Sequence, residues 1–180
     1  MKSNTKKMVL NAILLAIALL LHQLTPALGL PIQPDMALAM LFIIVVINKN
    51  DYKACLVCGI ITGIFTAMTT KFPGGQIPNI IDKIITVNAV YLLMKLFYGI
   101  SFIKNLSEST KDFVVEVIII PIGTLISGTV FLYSASLIVG LPGSFTALFM
   151  AAVVPAVILN LIAGLFLYKI VTMSIKRTTA

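Results

Sequence analysis

The chain has 180 residues, of which 59% are hydrophobic and 11% charged, with a formal net charge of +7 and a mean hydropathy of +1.10. Soluble domains carry about 25% charged residues, so there is too little polar surface here to cover a water-soluble globule, and an integral membrane protein is predicted. The apolar runs are continuous rather than alternating, which excludes a β-barrel. The positive charges lie scattered at the ends of those runs, which argues against a nucleic-acid surface.

An all-α fold with six transmembrane helices follows, at about residues 8–24, 35–48, 54–70, 80–99, 113–140 and 145–174, in a single membrane domain spanning 1–180. The first run follows Lys2, Lys6 and Lys7. Ala27-Leu28-Gly29 is a poor cleavage site with prolines nearby, so the run reads as a retained helix rather than a signal peptide. The second helix is too short to span at 1.5 Å per residue, and one of its ends is expected to stop at membrane depth, sheltered by protein or lining a cavity. The fifth is long, and Pro121 and Gly128 are expected to bend it. Every lysine and the single arginine fall on one side of this arrangement, except Lys71 and Lys83. Positive-inside bias therefore places both termini in the cytoplasm, in agreement with six crossings.

Three loops then face outward: 25–34, 71–79 and 141–144. The first is apolar and holds three prolines, which suits a stiff lid within the interface; the third is a tight turn with Ser144 placed as an N-cap. The stretch from Lys71 to Lys83, KFPGGQIPNIIDK, is far more polar than a connector requires. Pro73-Gly74-Gly75 forces a turn and allows backbone to approach a ligand closely. Asn79 followed by Asp82 three residues later has the pattern of a capping box, a role compatible with ligand contact. The free N–H groups of a helix start favour a carboxylate, Lys71 or Lys83 would add charge, and Asp82 or Asp35 would meet an ammonium group. Such a site suits a zwitterionic amino acid.

Other residues carry weaker signals. Asp35 reads first as the N-cap of the second helix, and His22 as an interfacial histidine bonded to backbone. Gln76 is either a solvated loop residue or a ligand contact. Phe72, Phe149 and Tyr133 lie in outer halves, where they either anchor the interface or stack on a flat ring. Asn160 is costly to leave in lipid and is expected to face protein or a cavity, on a stripe with Ala152, Ala156 and Gly164. Gly59-x-x-x-Gly63, with Ala67, and Ala12-x-x-x-Ala16 permit close helix approach, the glycines within the bundle and the alanines toward an external partner.

Several classes find no support. No GxxxxGK[ST], GxSxG or HExxH motif occurs, and His22 is the only histidine. Cys55 and Cys58 form a CxxC within an apolar run but lack the further ligands of a metal site and the strand-to-helix context of a redox motif. No catalytic residue, metal or cofactor is predicted.

The segments PDMALAMLF (34–42), FPGGQIPNIIDK (72–83) and SGTVFLYSASLIVGLPGSFTALF (127–149) resemble the TrpP tryptophan transporter family, and the likeness extends over nearly the whole chain. That family is related to the substrate-binding S components of energy-coupling factor (ECF) transporters. The resemblance implies an S-component-like six-helix bundle in the bacterial cell membrane that binds L-tryptophan from outside. It also implies an ECF coupling protein and two ATPase subunits as partners, with Ala12 and Ala16 meeting the coupling protein. Phe72, Gln76, Asn79, Asp82, Lys83, Asp35, His22, Tyr133, Phe149 and Asn160 are the candidate substrate contacts, each chosen from its local chemistry. An S component for another small molecule such as a vitamin, a solitary secondary amino-acid transporter, a membrane-embedded enzyme using His22 and Asp82, and a structural subunit are the alternatives.

Overall fold

A computed structural model describes residues 2–25 and 35–179. Among them the chain runs as α1 (Lys2–Leu24), α2 (Met36–Ile47), α3 (Tyr52–Thr69), α4 (Gln76–Gly99), α5 (Ser101–Lys104), α6 (Glu108–Ile138), α7 (Phe145–Leu148), a π-helical turn (Phe149–Val153) and α8 (Val154–Thr179). No strand occurs among the described residues. The stretches Thr5–Leu24, Tyr52–Thr69, Glu108–Ile138 and Phe145–Arg177 are long and apolar enough to cross a membrane. The proposed lid at 25–34 lies, beyond Thr25, outside the described residues.

The short second helix is the axis of the bundle. Its 12 residues rise only about 18 Å, against about 30 Å of hydrocarbon. It packs against α1, α3, α4, α6 and α8, and every residue from Ala37 to Val46 is buried. A helix apolar on all sides belongs in a core rather than on a surface. Asp35 caps its start, accepting from the Leu38 N–H at 2.8 Å. At its far end Asn48 and Asn11 of α1 exchange amide hydrogen bonds of 2.9 and 3.3 Å.

Small residues set the spacing around this axis. A Cβ on Gly59 would lie 2.5 Å from Val87 Cγ1, and one on Gly63 would lie 3.3 Å from both Ile80 Cα and Lys83 Cβ. The glycines of α3 thus admit α4, as their spacing implies. On α6 a Cβ at Gly123 would lie 2.5 Å from the Phe42 ring, and one at Gly128 would meet Val153. Pro121 sits inside α6, which continues past it as one helix.

The last helix is interrupted where the sequence suggests continuity. The Val154 N–H bonds to Phe149 O, a wide π turn of the kind often found beside functional sites. Pro155 follows at once and has no N–H to give to the preceding turn, which accounts for the widening at this point.

At the end of the bundle opposite Asp35, Lys49 bonds to Asp112 at 2.7 Å and Glu108 at 3.0 Å, and the Tyr98 hydroxyl donates to Asp112. Burial pulls the Lys49 ammonium down, but these carboxylates outweigh it and hold its pKa above the ordinary lysine value. Glu116, one turn further along α6, is 0% exposed, and neither of its oxygens has a hydrogen-bond partner among the described residues.

The tight contact of α3 and α4 is directly testable. Gly59→Ala drives its methyl into the branched Cβ of Val87 and is expected to cost about 1–3 kcal/mol, read as a lower melting temperature in detergent. Val87→Ala, added to it, should recover most of the loss; a Gly59→Ala protein as stable as wild type would show that the helices are not packed at this distance.

Candidate functional site

The start of α2, the stretch of α4 from Asn79 to Lys83, the middle of α6 and the π turn converge on one cavity of about 150 Å³. One side of it is charged. Lys83 is 1% exposed and reaches Asp35 Oδ2 at 2.7 Å while also bonding to Asp82 Oδ2. Adjacent residues on a helix do not face each other, and the long lysine stem allows Lys83 to fold back onto its neighbour. Asp82, also 1% exposed, accepts from the Thr86 hydroxyl at 2.8 Å and from the Ser127 hydroxyl of α6 at 2.9 Å. Asp35 divides its two oxygens between the α2 cap and Lys83, and its side chain stays 19% exposed. Two carboxylates thus share one lysine, and the triad itself carries a net charge of −1 when all three are ionised. His22 lies beside it, with Nε2 3.8 Å from Asp35 and Nδ1 2.7 Å from Thr69 Oγ1. Thr69 donates its own proton to Phe65 O at 2.7 Å, so the His22–Thr69 bond requires Nδ1 to be the donor.

The opposite side is apolar and lined by small residues. Ala152 and Val153 lie in the π turn and Ala156 just after it, Gly128 of α6 meets Val153, and Leu38 of α2 completes this side. Phe72 and Phe131 stand edge to face, 5.4 Å between centroids. Beyond the alanines Asn160 projects into the wall, donating to Thr124 Oγ1 at 3.3 Å. At the rim Lys71 donates to Thr25 O, and the Phe72–Gly75 turn closes through a 2.9 Å backbone bond.

The predicted residues separate into two groups. His22, Asp35, Phe72, Asn79, Asp82, Lys83 and Asn160 all line this cavity. Gln76 is exposed at the first turn of α4. Tyr133 is 61% exposed, and lines a shallow groove with Ile81 and Ile85 on another face. Phe149 stacks on Phe145, 6.2 Å between centroids, behind the cavity wall. The capping box is corrected: α4 begins three residues before Asn79, because Gly75 serves as N-cap and Pro78 is tolerated within the first turn. Asn79 instead donates to Gly75 O at 2.8 Å, and Asp82 is engaged in the ion cluster. His22 meets the side chains of Thr69 and Asp35. Lys83, expected at an outer surface, is at the centre of the cavity. Ser127, Thr124 and Phe131 carry no site motif in the sequence, although with Gly128 they form one face of α6 at helical spacing.

The triad sets the stability of this half of the bundle. Lys83→Met would leave Asp35 and Asp82 facing one cavity without their cation, at an expected cost of about 3–5 kcal/mol. Adding Asp82→Asn should restore most of the lost thermal stability, whereas a single Lys83→Met variant that melts like wild type would rule out the triad as a structural tie.

The chain matches the family model described as tryptophan transporter TrpP over residues 4–176. A probable tryptophan transport protein of Clostridium perfringens is 51% identical over 178 residues, covering 99% of this chain and 97% of that protein. Proteins described in the same words from Clostridium acetobutylicum and Bacillus subtilis are each 42% identical, covering 98% and 97% of this chain and 97% and 95% of those proteins. No solved structure matches. With its membrane-length apolar helices and this match along nearly its whole length, the chain belongs to the TrpP tryptophan transporter family, a family of transporters rather than enzymes, and is a multi-pass protein of the cell membrane.

Proposed function

We propose that this protein takes up L-tryptophan as the substrate-binding S component of an ECF-type importer, with both termini in the cytoplasm and six crossings formed by α1, α2, α3, α4, α6 and the α7–α8 unit. The observation that carries the reading is the polarity of the cavity. A cluster of two carboxylates, Asp35 and Asp82, around the single ammonium of Lys83 at one side suits an amino acid's ammonium group, and Asp35 is its most open member. Lys71 at the rim is the cation left to meet the substrate carboxylate. This replaces the start of α4 in that role, since Gln76 and Ile77 are exposed there rather than lining the cavity. Phe72 and Phe131 offer the aromatic edge and face against which an indole packs.

An energising partner is supported by two features. The sequence holds no P-loop. Ala12 and Ala16 lie exposed on α1 among Val9, Ile13, Ile17 and Leu20, which are also exposed, a face of small and apolar residues suited to another helix. A coupling protein with two ATPase subunits would dock there. Glu116 favours a second reading, solitary ion-coupled transport, because a buried acid without a hydrogen-bond partner among the described residues is what such transporters use in their ion relays.

Two measurements test these assignments. Asp35→Asn keeps a competent N-cap and leaves Lys83 paired with Asp82, so the fold is retained while the ligand loses its counter-charge. Tryptophan binding should weaken by about tenfold or more; unchanged affinity would remove Asp35 from the site. Ala16→Leu should leave binding by the purified protein intact and abolish uptake in cells. Uptake that survives this change, and also survives loss of the coupling ATPases, would establish the solitary mechanism.

A further inference from the structure

Asn160 is 0% exposed, and only half of its amide is used. Its nitrogen donates to Thr124 Oγ1, while its oxygen has no partner among the described residues. A buried amide oxygen left without a donor is unfavourable, and such groups in native structures call for an explanation. Here the residue is in the wall of the cavity already described. Ala152, Ala156 and Asn160 recur at four-residue intervals, so from the π turn into α8 the wall offers two small side chains and then an acceptor, each about 6 Å further on. Leu38, Val153 and Gly128 are apolar walls of the same cavity, and beside Asn160 the polar wall residue is Thr124, whose hydroxyl oxygen already accepts from the Asn160 amide nitrogen. An occupant of this end must therefore be largely apolar, narrow enough to lie against the alanines, and must carry one hydrogen-bond donor on its far edge.

The geometry points to Asn160 Oδ1 as the acceptor for the indole N–H of tryptophan, which makes Asn160 the residue that distinguishes indole from rings of the same shape without a donor. This assignment rests on the tryptophan reading and adds to it. The charged cluster recognises the amino-acid backbone common to many substrates, whereas Asn160 reads the one polar atom of the side chain. A site built around a buried hydrogen-bonding group discriminates strongly against an analogue that leaves the group unpaired.

The wild-type protein provides the test. It contains no tryptophan of its own, so all indole fluorescence comes from the substrate and its rise in anisotropy on binding measures the bound fraction, and L-3-benzothienylalanine, in which sulfur replaces the ring N–H, serves as the competitor. Benzothienylalanine is expected to bind about tenfold or more weakly than tryptophan. In Asn160→Leu the preference should collapse toward unity, through loss of tryptophan affinity rather than gain of the analogue. Wild-type affinities within about twofold of each other, or an Asn160→Leu protein that binds and keeps the full preference, would overturn the assignment while leaving tryptophan binding in place. Absence of tryptophan binding by the wild-type protein would overturn the transport reading and this assignment together.

Discussion

The ion triad of Asp35, Lys83 and Asp82 is the constraint on which the outer half of the bundle depends. Charges removed from water are costly unless they are paired and hydrogen-bonded, so once Lys83 is buried the elements around it have little freedom. Asp35 has to stand at the start of α2, where the Leu38 N–H also holds it. Ser127 brings α6 to Asp82, and Thr86 supports the same carboxylate from one turn along α4. Gly63 lets α3 come up against the base of the Lys83 side chain. The apolar part of the cavity is what remains between helices whose separation is set by these polar contacts and by small residues opposite them. Binding and folding therefore draw on the same atoms, with Asp35 the member most open to a ligand.

Much of this was legible from the chain itself, for identifiable reasons. The stretch from Lys71 to Lys83 stands out because glycine, proline and charge are costly within a membrane protein and are placed where backbone shape or a partner requires them. Lys83 breaks the charge bias of the loops because it is not a loop residue, but an internal cation of α4. Asn160 is legible by the same rule of cost. The capping box misleads because residue spacing alone cannot distinguish an N-cap from the fourth residue of a helix that a glycine has already begun. Tyr133 and Phe149 mislead because a nearly uniformly apolar helix gives no indication of which face turns inward. On α6 the small polar residues Thr124 and Ser127 carry that information, and the aromatic residues do not.

The two ends of the bundle are built differently. Around the cavity the polar groups are buried and converge from separate elements, leaving an amide oxygen without a partner among the described residues. At the other end, Asn11 with Asn48 and Lys49 with Asp112 and Glu108 are paired, and they tie the middle of α1 and the first turns of α6 to the end of α2. The paired end has the character of a clamp and the cavity end that of a receptor. Glu116 lies beyond the clamp toward the interior, without a partner of its own among the described residues.

The enclosure of α2 has a bearing on how the protein is made. A helix of 12 residues falls short of the length at which the bilayer itself selects a segment for insertion, and this one has no face turned to lipid. Its position is supplied by its neighbours, so membrane entry and tertiary assembly are a single event for this segment. The Asn11–Asn48 pair and the Asp35 cap, at its two ends, then act as the fastenings of that assembly. Lesions at either end belong to biogenesis as much as to transport, and would be read first in the amount of protein that reaches the membrane.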